Sequence, residues 1–150
     1  LGWAVNSTTC KTWYVCFFFF FFSIFRELTV KTIMLVDDSA TLLLSVANIL
    51  GKAGYKVEKA ASAAEGLRKF ATGIAVDLLI TDLNMPGMNG IEFIKEVRKL
   101  APYRFMPILF QTTESQQSKR LEAKAAGASG WLVQPVTATD LLNTIKLVMR

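Results

Sequence analysis

Ile33-Met34-Leu35-Val36 runs without a break into Asp37-Asp38. Four consecutive apolar residues with no polar alternation read as a strand buried on both faces. Two later runs repeat the arrangement. Leu78-Leu79-Ile80-Thr81 ends at Asp82, and Ile108-Leu109-Phe110-Gln111 ends at Thr112. As parallel strands of one sheet, the three runs would bring three carboxylates and a hydroxyl to its carboxyl edge. That edge is where an open α/β sheet holds its ligand.

Outward from these runs, the pattern alternates between strand and helix. Leu42, Leu43, Val46, Ile49 and Leu50 recur at helical spacing and are closed by Gly51 and Gly54. A short second strand is predicted over 55–60. Ser62-Ala63-Ala64-Glu65 has the spacing of a capping box and opens a helix that turns Leu67 and Phe70 inward. The third strand is predicted over 77–81, followed by the turn-rich Asn84-Met85-Pro86-Gly87-Met88-Asn89-Gly90. The next helix carries Ile91, Ile94 and Val97 on one face. Strand four is predicted over 107–111, a helix with little apolar surface beyond Leu121 and alanines over 115–126, strand five over 130–133, and an amphipathic last helix over 139–149. Five βα units in succession imply an α/β fold, a parallel doubly wound sheet with right-handed crossovers.

At 150 residues, 52% of them apolar and 19% charged, the chain has the composition of one folded domain. Its net charge of +5 comes from scattered basic residues and not from a block with interleaved aromatics, so no nucleic-acid partner is expected. There is no histidine, which excludes histidine metal sites, Ser/His/Asp triads and histidine phosphocarriers. Both cysteines, Cys10 and Cys16, precede the predicted domain, so a reducing, cytoplasmic setting is expected. Any metal must then be hard and oxygen-ligated.

Residues 13–25 are apolar nearly throughout and include six consecutive phenylalanines, Phe17 to Phe22. As a helix this stretch would reach about 20 Å, against about 30 Å of membrane hydrocarbon. It has the length of a signal-peptide apolar region, but Lys11 is the only charge before it and no small-residue cleavage site follows. Two readings stay open: a short membrane anchor, or a cloning remnant or translated upstream stretch. The expected division is a non-domain extension over 1–31 and one domain over 32–150, with membrane contact only if 13–25 is an anchor.

Asp37-Asp38 alone fits a helix N-cap as readily as a site, and Asp82 alone is unremarkable. Together, on neighbouring strand ends, they place like charges within a few ångströms. That is costly unless a divalent cation neutralises them or one acid takes up a proton. Magnesium suits the position, because it takes one or two carboxylates, a carbonyl and waters and leaves positions for phosphate oxygens.

Four ordered motifs carry a family resemblance: Thr32 through Asp37-Asp38-Ser39, Asp82 through Pro86 to Gly90, Gln111-Thr112-Thr113-Glu114-Ser115, and Gly127 through Trp131 to Gln134-Pro135. From Thr32 to Arg150 the chain resembles a response-regulator receiver domain, most like the stand-alone chemotaxis regulators. The resemblance implies a flavodoxin-like five-stranded sheet in the order 2-1-3-4-5 with five helices. It implies that Asp82 is the phosphoacceptor, attacking a phosphohistidine of a sensor histidine kinase or phosphotransfer protein. Asp38, Asp82 and the backbone carbonyl of Asn84 would ligate Mg²⁺, with Asp37 acting through metal-bound water. Thr112 would donate to a phosphoryl oxygen, Trp131 would stand at the aromatic switch position, and the Gln134-Pro135 bond would be cis. Plainer readings stay beside these, with Thr112 as a helix cap and Trp131 as core.

One position departs from the family pattern. Receivers generally carry lysine where this chain has Gln134, and phenylalanine where it has Val136. A glutamine still donates a hydrogen bond but brings no charge. Two hypotheses follow: a domain that accepts phosphate with weakened switching, or a pseudo-receiver that binds a partner without phosphorylation. The expected output surface is the 115–126 helix, strand five and the last helix. No output domain follows Arg150 in this sequence, so protein–protein contact is the expected output. The domain is not expected to be a conventional enzyme, because an acid-cluster phosphatase would need an Asp-x-Asp nucleophile and a substrate cap. Here Asp82-Leu83-Asn84 has a neutral second member and no insertion is large enough for a cap.

Overall fold

The computed structural model describes residues 30–113 and 116–149. Residues 13–25, with the anchor reading, and Ser115 lie outside them. Lys31–Arg150 forms one compact unit. Its five strands are β1 (Thr32–Val36), β2 (Lys56–Ala60), β3 (Leu78–Thr81), β4 (Ile108–Thr112) and β5 (Gly130–Val133). They pair in parallel in the order β2-β1-β3-β4-β5. The five helices are α1 (Ala40–Lys52), α2 (Ala63–Ala71), α3 (Gly90–Lys99), α4 (Gln117–Ala125) and α5 (Ala138–Val148), with a 3₁₀ turn at Ala101–Tyr103. Fold class, strand order and helix number are those expected.

The central strands are where the apolar runs put them, because residues buried on both faces leave no other period to follow. Every residue of β1, β3 and β4 is buried. Strand alternation then divides the core into two layers. Met34, Val36, Leu79, Ile108 and Phe110 pack against α2, α3 and α4 through Phe70, Phe93, Ile94, Val97 and Ala123. Ile33, Leu35, Leu78, Ile80 and Leu109 pack against α1 and α5 through Leu43, Val46, Leu50, Leu141 and Ile145.

Several element ends differ from the predicted ones, each for a local reason. Tyr55 is not in β2, because its N–H donates back to Leu50 O at 3.1 Å and closes the end of α1. Asp77 precedes β3 and accepts from the Thr32 N–H at 2.7 Å through its carboxylate. β4 includes Thr112, which pairs with Val133. The last helix starts at Ala138, capped by Thr137, whose hydroxyl accepts from the Asp140 N–H at 3.1 Å. The predicted 115–126 helix is shorter, running Gln117–Ala125.

The capping box expected at Ser62 is only half formed. Ser62 Oγ accepts from the Glu65 N–H at 3.2 Å, but the Glu65 carboxylate accepts from Ala61 N–H at 2.9 Å, one residue too early. A complete box opens α3 instead: Asn89 Oδ1 accepts from Glu92 N–H at 2.9 Å, and Glu92 Oε2 from Asn89 N–H at 3.3 Å. Its Asn-x-x-Glu spacing stands in the sequence.

Two side chains tie the far edge of the sheet together. Arg98 donates at 2.7 Å to the main-chain oxygens of Tyr103, Met106 and Gly127, joining α3 to two loops. Burial lowers the Arg98 pKa from its ordinary value. The Tyr103 hydroxyl donates toward Ile74 O at 2.8 Å and Phe70 O at 3.2 Å, and its ring stands edge-on to Phe70 at 4.6 Å between centroids. Among the described residues no helix is long and apolar enough to cross a membrane.

Candidate functional site

The chain reverses its direction across the sheet between β1 and β3, and a crevice opens at such a point. Val36 and Thr81, the last residues of these strands, are register partners. The next residues are Asp37 and Asp82, so the pairing brings them side by side. Asp82 N–H donates to Val36 O at 3.0 Å, and Asp37 N–H to Ala60 O at 3.2 Å, which fixes both main chains at the sheet edge. Both acids are half-buried, while Asp38 is exposed.

The helix after β1 starts on Ser39, whose hydroxyl accepts from the Leu42 N–H at 3.4 Å. The acids are therefore not its N-cap. Asp37 accepts from the Ser39 N–H at 2.8 Å. Burial raises the Asp37 pKa above its usual 3.8, against the opposing pull of the Ser39 bond, and the charges of Asp82 and Asp38 raise it further. Asp82 accepts from the Leu83 N–H at 2.7 Å through Oδ1.

The loop after β3 is held from both sides. Leu83 and Met85 are buried, which leaves Asn84 between them exposed beyond Asp82. Gly90 N–H donates to Leu83 O at 2.8 Å and closes the loop. Gly90 has no room for a side chain. A Cβ there would overlap the Asp82 carbonyl oxygen and lie 2.7 Å from Phe110 Cε1 and 2.9 Å from Leu83 Cα.

Thr112 ends β4 fully buried. Gln134 follows β5, and its N–H donates to Thr112 O at 2.9 Å. Its side chain turns back to the neighbouring strand, where Nε2 donates to Gln111 O at 3.4 Å. The Gln134–Pro135 peptide is cis. Trp131 lies elsewhere. It packs against Phe110 with ring centroids 5.2 Å apart, and the Arg120 guanidinium lies 5.9 Å from its ring centre. It therefore faces the α2–α4 layer, while Gln111 lies on the α1–α5 side with Leu109 by strand alternation.

The structure thus gathers Asp37, Asp38 and Asp82, brings Thr112 and Gln134 together through the backbone, and sets Trp131 apart on the other layer. No three His, Cys, Asp or Glu side chains among the described residues form a metal-binding group by themselves. The donor set is all oxygen, and the repulsion on Asp37 is what a cation would relieve. This fits a hard ion that takes one or two carboxylates, a carbonyl and waters. Gln111 is the residue that sequence reasoning missed. It is 8% exposed and lines the cleft beside Asp37 and Asp82, and its one signal was a polar residue inside an apolar run.

Comparison with known proteins bears on the same segment. The model of the response regulator receiver domain matches residues 33–146. Chemotaxis protein CheY1 of Helicobacter pylori is 33% identical over 118 residues, which covers 78% of this chain and 95% of that protein. Protein PilH of Pseudomonas aeruginosa is 32% identical over 117 residues, covering 78% and 96%. Among solved structures, chemotaxis protein CheY4 of Vibrio cholerae superposes with a TM-score of 0.77 at 44% identity, covering 80% of this chain and 99% of that one. The acids at the crossover, the strand order and these likenesses agree, and the chain belongs to the response regulator receiver domain family, of the CheY type.

Proposed function

We propose that Asp82 accepts a phosphoryl group from the phosphohistidine of a sensor kinase or phosphotransfer protein in the cytoplasm. An Asp82 carboxylate oxygen attacks phosphorus, the P–N bond breaks, and the departing imidazole nitrogen keeps the electron pair and takes a proton. The observation that carries this reading is the β1–β3 register, which sets Asp82 beside the raised-pKa Asp37 at the crossover. Asp38, Asp82 and the Asn84 carbonyl would hold Mg²⁺, with Asp37 acting through its water. When bound, the ion offsets charge on the transferring group, and positioning does most of the rest. The domain catalyses its own phosphotransfer and dephosphorylation and is not a conventional enzyme.

Output is by protein–protein contact through α4, β5 and α5. Helix α4 supports this by its composition, because only Ala123 of its nine residues is buried. The test is incubation with acetyl phosphate and Mg²⁺ followed by intact mass. A phosphate-sized increment that is absent from Asp82→Asn supports the reading, and no increment in the parent chain overturns it.

A second reading has its own observation. The Gln134 amide is spent on Gln111 O and brings no charge to the acids. A neutral hydrogen bond contributes about 0.5–1.5 kcal/mol, against about 1.5–3 for a charge-assisted one. Coupling between phosphate and output would then fall short by about 1–2 kcal/mol. In the limit the domain is a pseudo-receiver, binding its partner without phosphorylation, and the missing mass increment is that reading's signature.

A further inference from the structure

Away from the acids, helix α4 and the chain entering β5 border a groove of about 210 Å³. Ala123, Ala128 and the Trp131 ring give it an apolar lining, and Arg120, Lys124 and Ser129 bring polar groups to it. No Asp or Glu lines it.

What these polar groups need is an acceptor. Arg120 Nε is buried without a hydrogen-bond partner, the one side-chain atom so placed among the described residues. The Trp131 ring, with its centre 5.9 Å away, attracts the guanidinium charge but offers Nε–H no lone pair. Arg120 and Lys124 stand one turn apart at i and i+4, where like charges destabilise a helix. Neither takes part in an ion pair among the described residues, and the one acid of α4, Glu122, is paired with Lys119 at 3.4 Å. Ser129 Oγ accepts from the Ile108 N–H at 3.2 Å, which leaves its proton to donate.

We infer that the groove seats the carboxylate of an acidic side chain presented by the output partner, with Arg120 and Lys124 as its counter-ions. This rests on the reading that α4 and β5 belong to the output surface. A carboxylate is acceptor-only and takes two parallel bonds from a guanidinium fork. Its arrival gives Nε–H an acceptor and offsets the repulsion between the two cations. The methylene stem of the same side chain has the apolar lining to lie on, which inorganic phosphate cannot use. A neutral amide of the same shape fills the groove but gains no charge-assisted bond.

The test uses the full chain in EDTA without phosphodonor. Binding is read at the groove itself and phosphoryl transfer by its mass increment, so either reading can fail alone. The chain, labelled with ¹⁵N, is titrated at low salt with a capped hexapeptide of alternating glutamate and glycine. The glutamine counterpart and inorganic phosphate follow, all on the Arg120 Nε–Hε signal, which is assigned by its loss in Arg120→Lys. The expected result is a saturable shift with the glutamate peptide, and binding at least roughly tenfold weaker for the glutamine peptide and for phosphate. Arg120→Lys keeps the charge without the fork, and Lys124→Gln keeps the fork with one charge fewer. Each should weaken the glutamate peptide about fivefold or more, read on the Ala123 and Gly130 main-chain amides. Lys95→Gln, at an exposed position within α3, should leave the affinity unchanged. Far-UV circular dichroism shows which variants fold, and either folded groove variant suffices. No saturable shift in the parent, a glutamine peptide or phosphate bound as tightly, undiminished affinity in a folded groove variant, or an equal loss in Lys95→Gln overturns the proposal.

Discussion

Replacing Gly90 by alanine adds one methyl group at the point where α3 meets the loop that carries Asp82. The three nearest atoms are the Asp82 carbonyl oxygen, Phe110 Cε1 at 2.7 Å and Leu83 Cα at 2.9 Å. Two are main chain and cannot rotate away, and Phe110 is fully buried. Relief therefore requires the start of α3 to move off β3, which strains the 2.8 Å bond from Gly90 N–H to Leu83 O. Overpacking of this kind costs about 3 kcal/mol, the upper part of its usual range. For a domain of this size the midpoint should fall by about 12 °C. Gly51 in α1 is the internal control, because a Cβ there meets nothing within 4 Å. Gly51→Ala should instead stabilise by about 0.5–1 kcal/mol through helix propensity, raising the midpoint by about 2–4 °C. Thermal unfolding of both variants followed by circular dichroism reads the difference. A Gly90→Ala midpoint within about 3 °C of the parent would refute the packing argument.

Three further outcomes are expected. The raised Asp37 pKa means that the folded state holds a proton more tightly than the unfolded chain, so stability falls as pH rises from the usual 3.8 through the raised value. Without Mg²⁺, Asp37→Asn should therefore be more stable than the parent at pH 7, with the gain gone below about pH 3; urea midpoints at both pH values would count against this if the gain were the same at each. Mg²⁺ titrated with tryptophan fluorescence should bind this chain as tightly as Gln134→Lys or more tightly, since lysine adds a competing charge at the acids; markedly weaker binding in the parent contradicts it. Tyr103→Phe leaves the Phe70 and Ile74 carbonyls without their shared donor. It should cost about 1–2 kcal/mol in urea unfolding, and a neutral result would show that water replaces the hydroxyl.

Much of the fold was legible because β1, β3 and β4 are continuous apolar runs that only a doubly covered sheet can accommodate. Element ends were less so, because particular hydrogen bonds place them: Tyr55 to Leu50 and Thr137 to Asp140 within a few residues, and Asp77 to Thr32 across the sheet. Asp37, Asp38 and Asp82 could be read because a charge directly after a buried strand has few other uses. Gln111 could not, because its place in the cleft beside Asp37 and Asp82 is visible only once α1 is packed on the sheet. Trp131 carried a role by resemblance, but its neighbours Phe110 and Arg120 come from other elements. Capping was legible only in part: the box expected at Ser62 forms by half because Glu65 reaches past it to Ala61, and the complete box, Asn89 with Glu92, opens from a stretch read only as a turn-rich loop.

Arg98 gives all three of its 2.7 Å bonds to main-chain oxygens. Every residue type supplies a carbonyl, so the clamp does not read the identities of the residues it holds. Met106, or Tyr103 as far as this bond is concerned, can be exchanged without removing an acceptor. Gly127 is the exception, at φ +101° and with Arg98 Nε 3.0 Å from where a Cβ would stand. Drift in sequence along this edge is thereby confined to side chains, while two loop paths stay tied to one arginine. The edge opposite the acids can vary its surface without changing its course.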